Sequence, residues 1–392
     1  MPIVVLDNGG YAAKVGLASD NKPTIIPNCI MKVKSERRRA FIGRQIETCI
    51  DTSGLFYMLC FQKGLLVNWD AQKTIWDYIF SSDCTNIKLS NNTLIVTEPL
   101  FNPLSIQEVM TEILFEEFDC GAIARTPTSD LAAYNYFADN NCSGNCIIID
   151  VGYSFTHVVP YIKGKRVKNA IKRIDVGGKV LTNYLKELVS YRYLNMMDET
   201  YVVNQIKEDV CFVAENFVQT MTESSKSVEA NFKNKVEYIL PDFTTFKRGF
   251  INNNSSNATG QQSINICNER FVIPELLFNP CDVGINQMGI PETVLDALKD
   301  CPECSHAALL KNIIVIGGSC LFPGFLTRLQ KDLEKLAPDY YDIQVTIPKD
   351  PMSYGWKGGK NFANSPEFEK VVFQRSEFEE NGFQYSYSKF DL

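Results

Sequence analysis

The sequence predicts an α/β fold that consists of two related halves. Two short apolar strands each run into a turn with an Asp-x-Gly sequence, first at Asp7 and again at Asp150, and a second strand-like run follows each turn. Apolar strands also alternate with amphipathic helices along the chain, which is typical of layered α/β proteins. At 392 residues, the chain is long enough for two domains or for one duplicated architecture with a large shared core.

The two turns lie in predicted β-hairpins. Residues 4–6 form a short apolar strand that runs into Asp-Asn-Gly-Gly at 7–10, and residues 11–17 resume as a second strand. The pattern recurs at 146–150, which runs into Asp-Val-Gly, and residues 155–161 continue with alternating apolar and polar positions. We therefore expect one hairpin design to be used twice.

Apolar periodicity predicts the other elements. Residues 93–97 and 313–316 have the composition of buried strands, and Ser105 with Glu108 predicts a capping box at the start of the helix that follows the first of them. The residues predicted to face inward are, helix by helix, Ile106, Val109, Met110, Ile113 and Leu114; Leu181, Tyr184, Leu185, Leu188 and Val189; Val203, Ile206, Val210, Val213 and Phe217; and Leu326, Leu329, Leu333 and Leu336.

Composition excludes several classes of protein. The net charge of -7 and the isoelectric point of about 5.2 argue against a surface built to neutralise nucleic-acid phosphates. We expect no signal peptide, because the amino terminus lacks a basic region followed by a long apolar stretch, and no apolar run approaches membrane-spanning length. The 13 cysteines have scattered spacing and an odd count, which favours buried thiols in a reducing compartment, the cytosol or nucleus.

Three further features are interpreted as structural. Cys301, Cys304 and His306 could supply half of a zinc site, but a second pair is missing, so we do not expect a structural metal. The basic run at 32–39 is most often a solvated face or loop, with a binding role as the alternative. Residues 249–262 are rich in Asn and Ser, and we expect them to form an exposed, mobile insertion. The glycosylation sequons at Asn254 and Asn257 matter only in an exported protein.

The glycine turns predict a site for a phosphate chain. Backbone N–H groups bind phosphate at close range where glycine removes the Cβ, as at Gly9, Gly10 and Gly152. Carboxylates repel phosphate, so Asp7 and Asp150 are expected to bind waters around Mg²⁺.

A cation and two further glycine pairs extend this predicted site. Lys14, on the returning strand, is placed to neutralise phosphate charge. A single Asp-x-Gly is commonly only a turn. Together with the pairs at 177–178 and 317–318, the two turns form a set that predicts a bound nucleotide.

Several segments along the chain carry a resemblance to one known family. They are VVLDNGG with Lys14, LVNWD at 66–70, TEPLFNP at 97–103, IIIDVGYSFTHVVP, IKEDVCFVA at 206–214, NERFVIPELLFNP at 268–280 and IGGSCLFPG at 316–324. Through them the chain resembles the actin family, collinearly and over essentially its whole length, and finer features, including YSFTH, are similar to a nuclear class of actin-related proteins. The resemblance implies an actin-like duplicated fold of the ribonuclease H type, with four subdomains around a central cleft that binds ATP or ADP with Mg²⁺.

The resemblance also implies domain boundaries. The first half is expected to comprise 1–140 plus 354–392, with 29–61 as its small outer part. The second half is expected to comprise 141–353, with 177–285 as its outer part, including an insertion at 244–267.

Site residues follow from the resemblance position by position. The implied metal site uses Asp7 and Asp150. The implied nucleotide contacts are Asp7, Asn8, Gly9, Gly10 and Lys14 in the first loop; Asp150, Gly152, Tyr153 and Ser154 in the second; Gly178, Lys207 and Glu208 on the ribose and base side; Gly317, Gly318 and Ser319 in the third glycine-rich contact; and Phe322, where the family places a tyrosine.

Departures from the family bear on chemistry. Thr128 stands at the position of the glutamine that orients the attacking water, and Tyr153 replaces an Asp near the metal. Tyr11 stands where the family has a glycine against the phosphates, and Met352 replaces a lysine beside the adenine. His157 is retained, but a lone His on an alternating strand is more often a packed core residue than a base. Because positioning and electrostatics supply nearly all of the catalysis of phosphoryl transfer, we expect slow or absent hydrolysis and no catalytic residues. The sequence does not decide whether the cleft holds ATP, ADP or no nucleotide.

Three functions follow as expectations. The first, implied by the resemblance, is a structural subunit of a nuclear remodelling complex that exchanges a core histone for its Z-type variant. Its expected partners are a helicase-like remodelling ATPase and a zinc-HIT subunit, with links to the nucleosome and a heterochromatin protein. It would reside in the nucleus and also in the cytoplasm.

The second function is that of a cytoskeletal, filament-forming relative or a weak ATPase. The short 29–61 segment argues against it. The third, a sugar kinase or chaperone ATPase, lacks a spare base carboxylate or a substrate domain in the sequence.

Overall fold

The computed structural model describes residues 2–33, 39–49, 54–140, 144–226, 234–252 and 261–390. The strands are, in chain order, β1 (Ile3–Asn8), β2 (Ala12–Leu17), β3 (Thr24–Pro27), β4 (Cys29–Lys32), β5 (Phe41–Ile42), β6 (Phe56–Leu59), β7 (Phe61–Gln62), β8 (Leu65–Leu66), β9 (Thr93–Glu98), β10 (Ala122–Pro127), β11 (Cys146–Val151), β12 (Thr156–Ile162), β13 (Lys165–Arg166), β14 (Lys172–Ile174), β15 (Val236–Ile239), β16 (Phe250–Ile251), β17 (Ser263–Ile266), β18 (Ile313–Ile316), β19 (Val345–Thr346) and β20 (Phe373–Gln374). The α-helices are α1 (Trp69–Phe80), α2 (Leu104–Glu112), α3 (Thr128–Asn140), α4 (Gly178–Arg192), α5 (Thr200–Val210), α6 (Phe217–Lys226), α7 (Glu269–Glu275), α8 (Ile290–Lys299), α9 (His306–Leu310), α10 (Phe325–Leu336), α11 (Tyr354–Ala363), α12 (Phe368–Val371), α13 (Arg375–Asn381) and α14 (Ser386–Phe390).

Two large sheets repeat one topology. The first sheet has the strand order β20-β10-β9-β1-β2-β3, and the second has β13-β12-β11-β18-β19, with β14 also paired to β12. In each sheet an antiparallel hairpin, β1–β2 or β11–β12, is joined through its first strand to two successive parallel strands. The predicted duplicated α/β fold is therefore confirmed.

Both predicted hairpins are present. Asp7 pairs with Lys14 across the first hairpin, and Asp150 pairs with His157 across the second. Each returning strand begins one residue later than predicted, since Tyr11 and Phe155 belong to the turns. Both carboxylates therefore stand at the carboxyl ends of strands that have parallel neighbours, which is where α/β sheets bind ligands.

One predicted helix is wrong in its second half. Helix α5 ends at Val210, and residues 211–216 run as an irregular segment before α6 begins at Phe217. The N–H of Phe212 donates to the carbonyl of Arg270, and the N–H of Val213 donates to that of Pro323 at 2.8 Å. These tertiary hydrogen bonds replace the helical ones, while Val213 still lies in the core as its apolar spacing predicted.

The predicted capping box is also wrong. Helix α2 begins at Leu104, with Pro103 at the cap position and no side-chain hydrogen bond to the cap, so Ser105 already lies in the first turn. Pro103 has φ of -59°, which suits a helix start. The apolar face continues through a π turn over Ile113–Glu117, where Ile113 and Leu114 are buried as predicted.

Helix α10 buries a narrower face than its leucines indicated. Leu329 and Leu333 are fully buried, but Leu326 and Leu336 are 40% and 48% exposed. Phe325 takes the inner position in the first turn and packs against Phe278 with ring centroids 5.6 Å apart.

Helices α3 and α11 pack between the two large sheets. They form the floor of the cavity that lies between the two hairpin turns. Contact is close because α11 carries glycines, and a Cβ built on Gly358 would lie 1.9 Å from the carbonyl oxygen of Leu131 on α3. Trp356 of α11 is buried and donates its indole N–H to the carbonyl of Val5 at 3.1 Å. The floor thereby fixes β1, which carries Asp7.

Three small sheets are separate from the large ones, with the orders β5-β4-β6, β16-β15-β17 and β7-β8. The insertion predicted at 244–267 contains β16 and β17, which both pair with β15, and its residues 253–260 lie outside the described residues. Residues 34–38 of the basic run also lie outside them. At its end, the Arg39 guanidinium lies 4.7 Å above the ring of Phe41.

The cysteines of the described ranges are free thiols, most of them buried. Cys301 is buried, Cys304 is exposed, and the Nε2 atom of His306 lies 3.1 Å from the carbonyl oxygen of Cys301. Across the described residues, no three His, Cys, Asp or Glu side chains form a group that could hold a metal ion. None of the described helices has the length and apolar character needed to cross a bilayer.

Candidate functional site

A cavity of about 600 Å³ lies between the turns of the two hairpins. This volume is within the range typical of small-molecule sites. A larger, more open groove of about 900 Å³ lies beside α6 and α10 and contains none of the predicted site residues. The 600 Å³ cavity is lined by all of them: Asp7, Asn8, Gly9, Gly10, Lys14, Asp150, Gly152, Tyr153, Ser154, Gly178, Lys207, Glu208, Gly317, Gly318, Ser319 and Phe322.

Asp7 is held rigidly at the bottom of this cavity and is 2% exposed. One carboxylate oxygen accepts hydrogen bonds from the hydroxyls of Thr97 at 2.8 Å and Thr128 at 3.0 Å, and the other accepts from Lys14 Nζ at 2.9 Å. Thr97 in turn accepts from the backbone N–H of Asn8 at 2.9 Å. These bonds fix the Asp7 carboxylate in one orientation.

Asp150 faces the same space from the second hairpin. Burial and, to a smaller extent, the nearby Asp7 carboxylate raise the pKa of its carboxyl to about 7, while Lys14 opposes the shift. Two carboxylates that face each other in a buried cavity repel, and a divalent cation with its waters relieves that repulsion. The donor set of Asp7 and Asp150 therefore fits a hydrated Mg²⁺ ion.

Glycine leaves room for a phosphate chain at Gly318. A Cβ built there would meet only the Met352 sulfur, at 3.9 Å, whereas one on Gly152 would lie 3.3 Å from the carbonyl oxygen of Phe155, which is a tight contact. Gly317 has φ of +98°, and a Cβ there would lie 2.3 Å from the carbonyl oxygen of Val151. The backbone between the second hairpin and β18 therefore presents an open, glycine-lined surface to the cavity.

The predicted ribose side is a network of side chains on α4 and α5. Lys207 Nζ donates to the carbonyl of Gly178 at 3.3 Å, to the Thr182 hydroxyl at 2.9 Å and to Asn204 Oδ1 at 2.9 Å. Burial lowers the pKa of Lys207. Asn204 Nδ2 donates to Glu208 Oε1 at 2.8 Å. Since the three protons of Lys207 already have acceptors, its main role in this geometry is to join α4 to α5.

One end of the cavity is apolar. Phe322, Leu321 and Met352 line it, and Leu321 and Met352 are 52% and 42% exposed. These side chains offer flat or flexible apolar surface and no hydrogen-bond donor. An aromatic base could stack here. Backbone groups and Glu208 would then determine which base is bound.

Two tyrosines connect the hairpin turns. The rings of Tyr11 and Tyr153 have centroids 5.1 Å apart, and the Tyr11 hydroxyl accepts a hydrogen bond from Asn204 Nδ2 at 3.2 Å. Burial raises the pKa of Tyr153 to about 12 and that of Tyr11 further, so both are neutral donors or acceptors at physiological pH. Tyr11 thus joins the first hairpin to α5 across the mouth of the cavity.

His157 is a packed core residue, as its strand position indicated. Its ring is 3% exposed and lies 4.4 Å from the ring of Phe155, and burial lowers its pKa to about 3, with Arg173 contributing. Its Nε2 atom has no hydrogen-bond partner among the described residues. His157 also lines the cavity, but its low pKa makes the neutral imidazole a weak general base.

Sequence reasoning missed several residues of the site. Thr97 could have been found, because it ends a buried strand that a parallel sheet places beside Asp7. Asn204 lies one helical turn before Lys207 on α5, but Asn at that spacing has many other roles. The pair of Asn28 and Gln72, whose amides bond to each other and to Asn8, gave no local signal.

Comparison with known proteins agrees with this architecture. The family model described as Actin matches residues 1–391. The chain is 55% identical over 390 residues to Actin-related protein 6 of Drosophila melanogaster, covering 97% of this chain and 98% of that protein. It is 35% identical over 417 residues to Actin-related protein 6 of Arabidopsis thaliana, covering 97% of each. A protein of the same name in Dictyostelium discoideum is 31% identical over 465 residues, covering 99% of this chain and 94% of that protein. With a duplicated fold, two facing hairpins and a family match over nearly its whole length, the chain belongs to the actin family.

Proposed function

We propose that this actin-related protein is a non-catalytic structural subunit in which a nucleotide with Mg²⁺ holds the two large sheets together. One observation carries the proposal. The cavity has the carboxylate pair and the glycine surface of a nucleotide site, while Thr128, at the position of the water-orienting glutamine, bonds its hydroxyl to Asp7. The side chain at the start of α3 therefore serves the Asp7 carboxylate, and the geometry supports binding better than hydrolysis.

When bound, the metal would neutralise phosphate charge beside Asp7 and Asp150. Lys14 reinforces that neutralisation, and the Gly318 backbone supplies an N–H donor at close range, whereas the Gly152 N–H donates to the carbonyl of Phe155. Phe322 and Met352 receive the base. Of the titratable groups that line the cavity, His157 is a weak base because its pKa is lowered to about 3, and Asp150 is assigned to the metal, so we expect a long-lived nucleotide.

The test of this part is phosphate release by purified protein in Mg²⁺ and ATP, measured beside conventional actin. We expect turnover well below that of actin, and Thr128→Gln is the variant most able to raise it. A wild-type rate comparable to actin that is lost in Asp150→Asn would overturn the non-catalytic role.

We further propose that the assembly is the nuclear remodelling complex that exchanges a core histone for its Z-type variant, with a helicase-like remodelling ATPase and a zinc-HIT subunit as direct partners. Contacts with the nucleosome and a heterochromatin protein, and residence in both nucleus and cytoplasm, belong to the same proposal. Its support is the resemblance to a nuclear class, together with relatives named Actin-related protein 6 in animals, plants and an amoeba.

An exposed apolar segment is consistent with a subunit that binds other proteins. Tyr191 is 90% exposed, and Tyr193, Leu194 and Met197 follow it with more than a third of each side chain exposed. Several large apolar side chains exposed in one stretch are unusual for a monomer and typical of interaction surfaces.

Affinity purification from nuclear extract tests the assembly. The expected result is co-purification of the remodelling ATPase and the zinc-HIT subunit, reduced by a Tyr191→Ser, Met197→Ser double variant and unchanged by Lys168→Ser on another surface. Recovery without any remodeller subunit would overturn the assignment. Sedimentation in filament-promoting salt separates the alternative, since a robust pellet would favour a cytoskeletal filament.

A further inference from the structure

We infer that the cavity is selective for a nucleoside diphosphate over a triphosphate, because the two hairpin turns meet where a third phosphoryl group would have to lie. This inference rests on the proposed nucleotide site and names the ligand class that it accepts. Its evidence is the contact between Gly10 and Ser154, the tyrosine pair that flanks them, and the hairpin β7–β8 behind them.

The cavity has two distinguishable ends. Met352 lies against Gly318 at the apolar end, where a base is expected. Phe61 and Gly64 of the β7–β8 hairpin lie against Gly10 and Phe155 at the end formed by the turns. A nucleotide with its base at the apolar end extends its phosphates towards the turns, and its last phosphoryl group lies nearest to them.

The Ser154 side chain fills the space in front of Gly10 at that end. A Cβ built on Gly10 would lie 3.0 Å from Ser154 Oγ and 3.6 Å from Phe61 Cβ, so the Ser154 hydroxymethyl group and the Phe61 side chain occupy that space. A phosphoryl group placed between the two turns would therefore have to displace the Ser154 side chain.

The flanking tyrosines hold the turns in this position. Tyr11 follows Gly10 and Tyr153 precedes Ser154, and their rings are 5.1 Å apart at an angle of 43°. Admitting a third phosphoryl group would separate the rings and break the hydrogen bond between Asn204 and the Tyr11 hydroxyl. Each of these contacts contributes only a modest free energy, but together they raise the free-energy cost of separating the two turns.

A second contact resists opening from behind. The Phe155 ring lies so close to Gly64 that a Cβ there would be 1.6 Å from Phe155 Cε1. The Arg173 guanidinium covers the other face of the contact, 4.4 Å from the Phe155 centroid. The second turn therefore cannot retreat without disturbing this packing, whereas the backbone at Gly318, where a built Cβ would meet nothing closer than 3.9 Å, is open to the cavity.

Calorimetric titration of the purified full chain with ADP, ATP and a non-hydrolysable ATP analogue, each with Mg²⁺, tests the inference. We expect ADP to bind at least tenfold more tightly than either triphosphate. Ser154→Gly and Tyr11→Ala are expected to reduce that ratio to less than threefold, mainly by strengthening triphosphate binding. Tyr191→Ala, which removes an exposed tyrosine far from the cavity, is the matched control and should keep the wild-type ratio. Unfolding midpoints show whether each variant is folded.

The outcomes separate this inference from the proposed site. Equal or tighter binding of ATP to the wild type overturns diphosphate selectivity and leaves the nucleotide site in place. A preference for ADP that persists in both variants overturns the assignment to Ser154 and Tyr11. Absence of binding to the wild type and to both variants overturns the nucleotide site itself. If the variants bind ATP and the wild type binds neither nucleotide, the wild-type cavity is closed to ADP as well as to ATP. That result also contradicts the inference.

Discussion

Replacing Gly64 by alanine tests how tightly the two hairpins are held together. Gly64 lies in the turn between β7 and β8 with φ of +74°, and its missing side chain is what lets the Phe155 ring approach. Gly164, in the turn between β12 and β13, has nearly the same φ of +76° but no atom within 4 Å of a built Cβ. The two substitutions share their backbone strain and differ only in the contact with Phe155.

The expected magnitudes follow from this difference. Alanine in the left-handed region costs roughly 1 kcal/mol, which is the whole expected effect of Gly164→Ala. Gly64→Ala adds the displacement of a ring that would otherwise lie 1.6 Å from the new Cβ. Overpacking of this kind costs about 1–3 kcal/mol, and loss of the Arg173 contact with the ring adds a few tenths to about 1 kcal/mol. Gly64→Ala should therefore destabilise the protein by at least about 1 kcal/mol more than Gly164→Ala.

Urea unfolding followed by intrinsic fluorescence measures both free energies of unfolding, provided that the slope with urea is unchanged. A double-mutant cycle with Phe155→Ala isolates the contact. In the Phe155→Ala background, the cost of Gly64→Ala should fall to that of Gly164→Ala, since the ring is gone. Equal costs in the wild-type background, or no reduction in the Phe155→Ala background, would refute the packing of the second hairpin on β7–β8.

Three other outcomes are expected. His157 has a pKa of about 3 when folded and an ordinary value of 6.5, so the unfolded chain binds its proton first and stability falls as pH drops below about 6.5. Between pH 7.5 and 5 the wild type should lose roughly 2 kcal/mol more than His157→Gln in unfolding experiments, and parallel curves would contradict this. Cys281 and Cys304 are exposed, so a thiol reagent should react with them quickly, and Cys281→Ser and Cys304→Ser should each remove one fast equivalent. Arg125 lies 5.3 and 4.5 Å from two phenylalanine rings within 383–390, so Arg125→Met should speed proteolysis of that segment at least severalfold, whereas unchanged cleavage would contradict the contact.

Local signals were sufficient for the hairpins and the glycine surface. An Asp-x-Gly turn after an apolar strand specifies its own geometry, and the two copies were found without knowledge of the tertiary fold. The end of α5 could not be predicted, because it depends on carbonyls of Arg270 and Pro323 that are distant in sequence. The contact between Tyr11 and Asn204 was equally hidden, since it joins two elements that meet only when both sheets are assembled.

The hydrogen bonds inside the cavity give its polar residues a structural role that does not depend on a ligand. Asp7 holds Thr97 and Thr128, and so ties β1 to β9 and to the start of α3. Lys207 connects α4 to α5 through hydrogen bonds to three acceptors. Without these bonds, the buried positive charge of Lys207 would be uncompensated. Replacing either residue therefore costs stability before any ligand is considered. Residues that match the family's phosphate and metal positions can be retained here because they hold the architecture together, and Thr128, which differs from the family, takes part in the same network through its bond to Asp7.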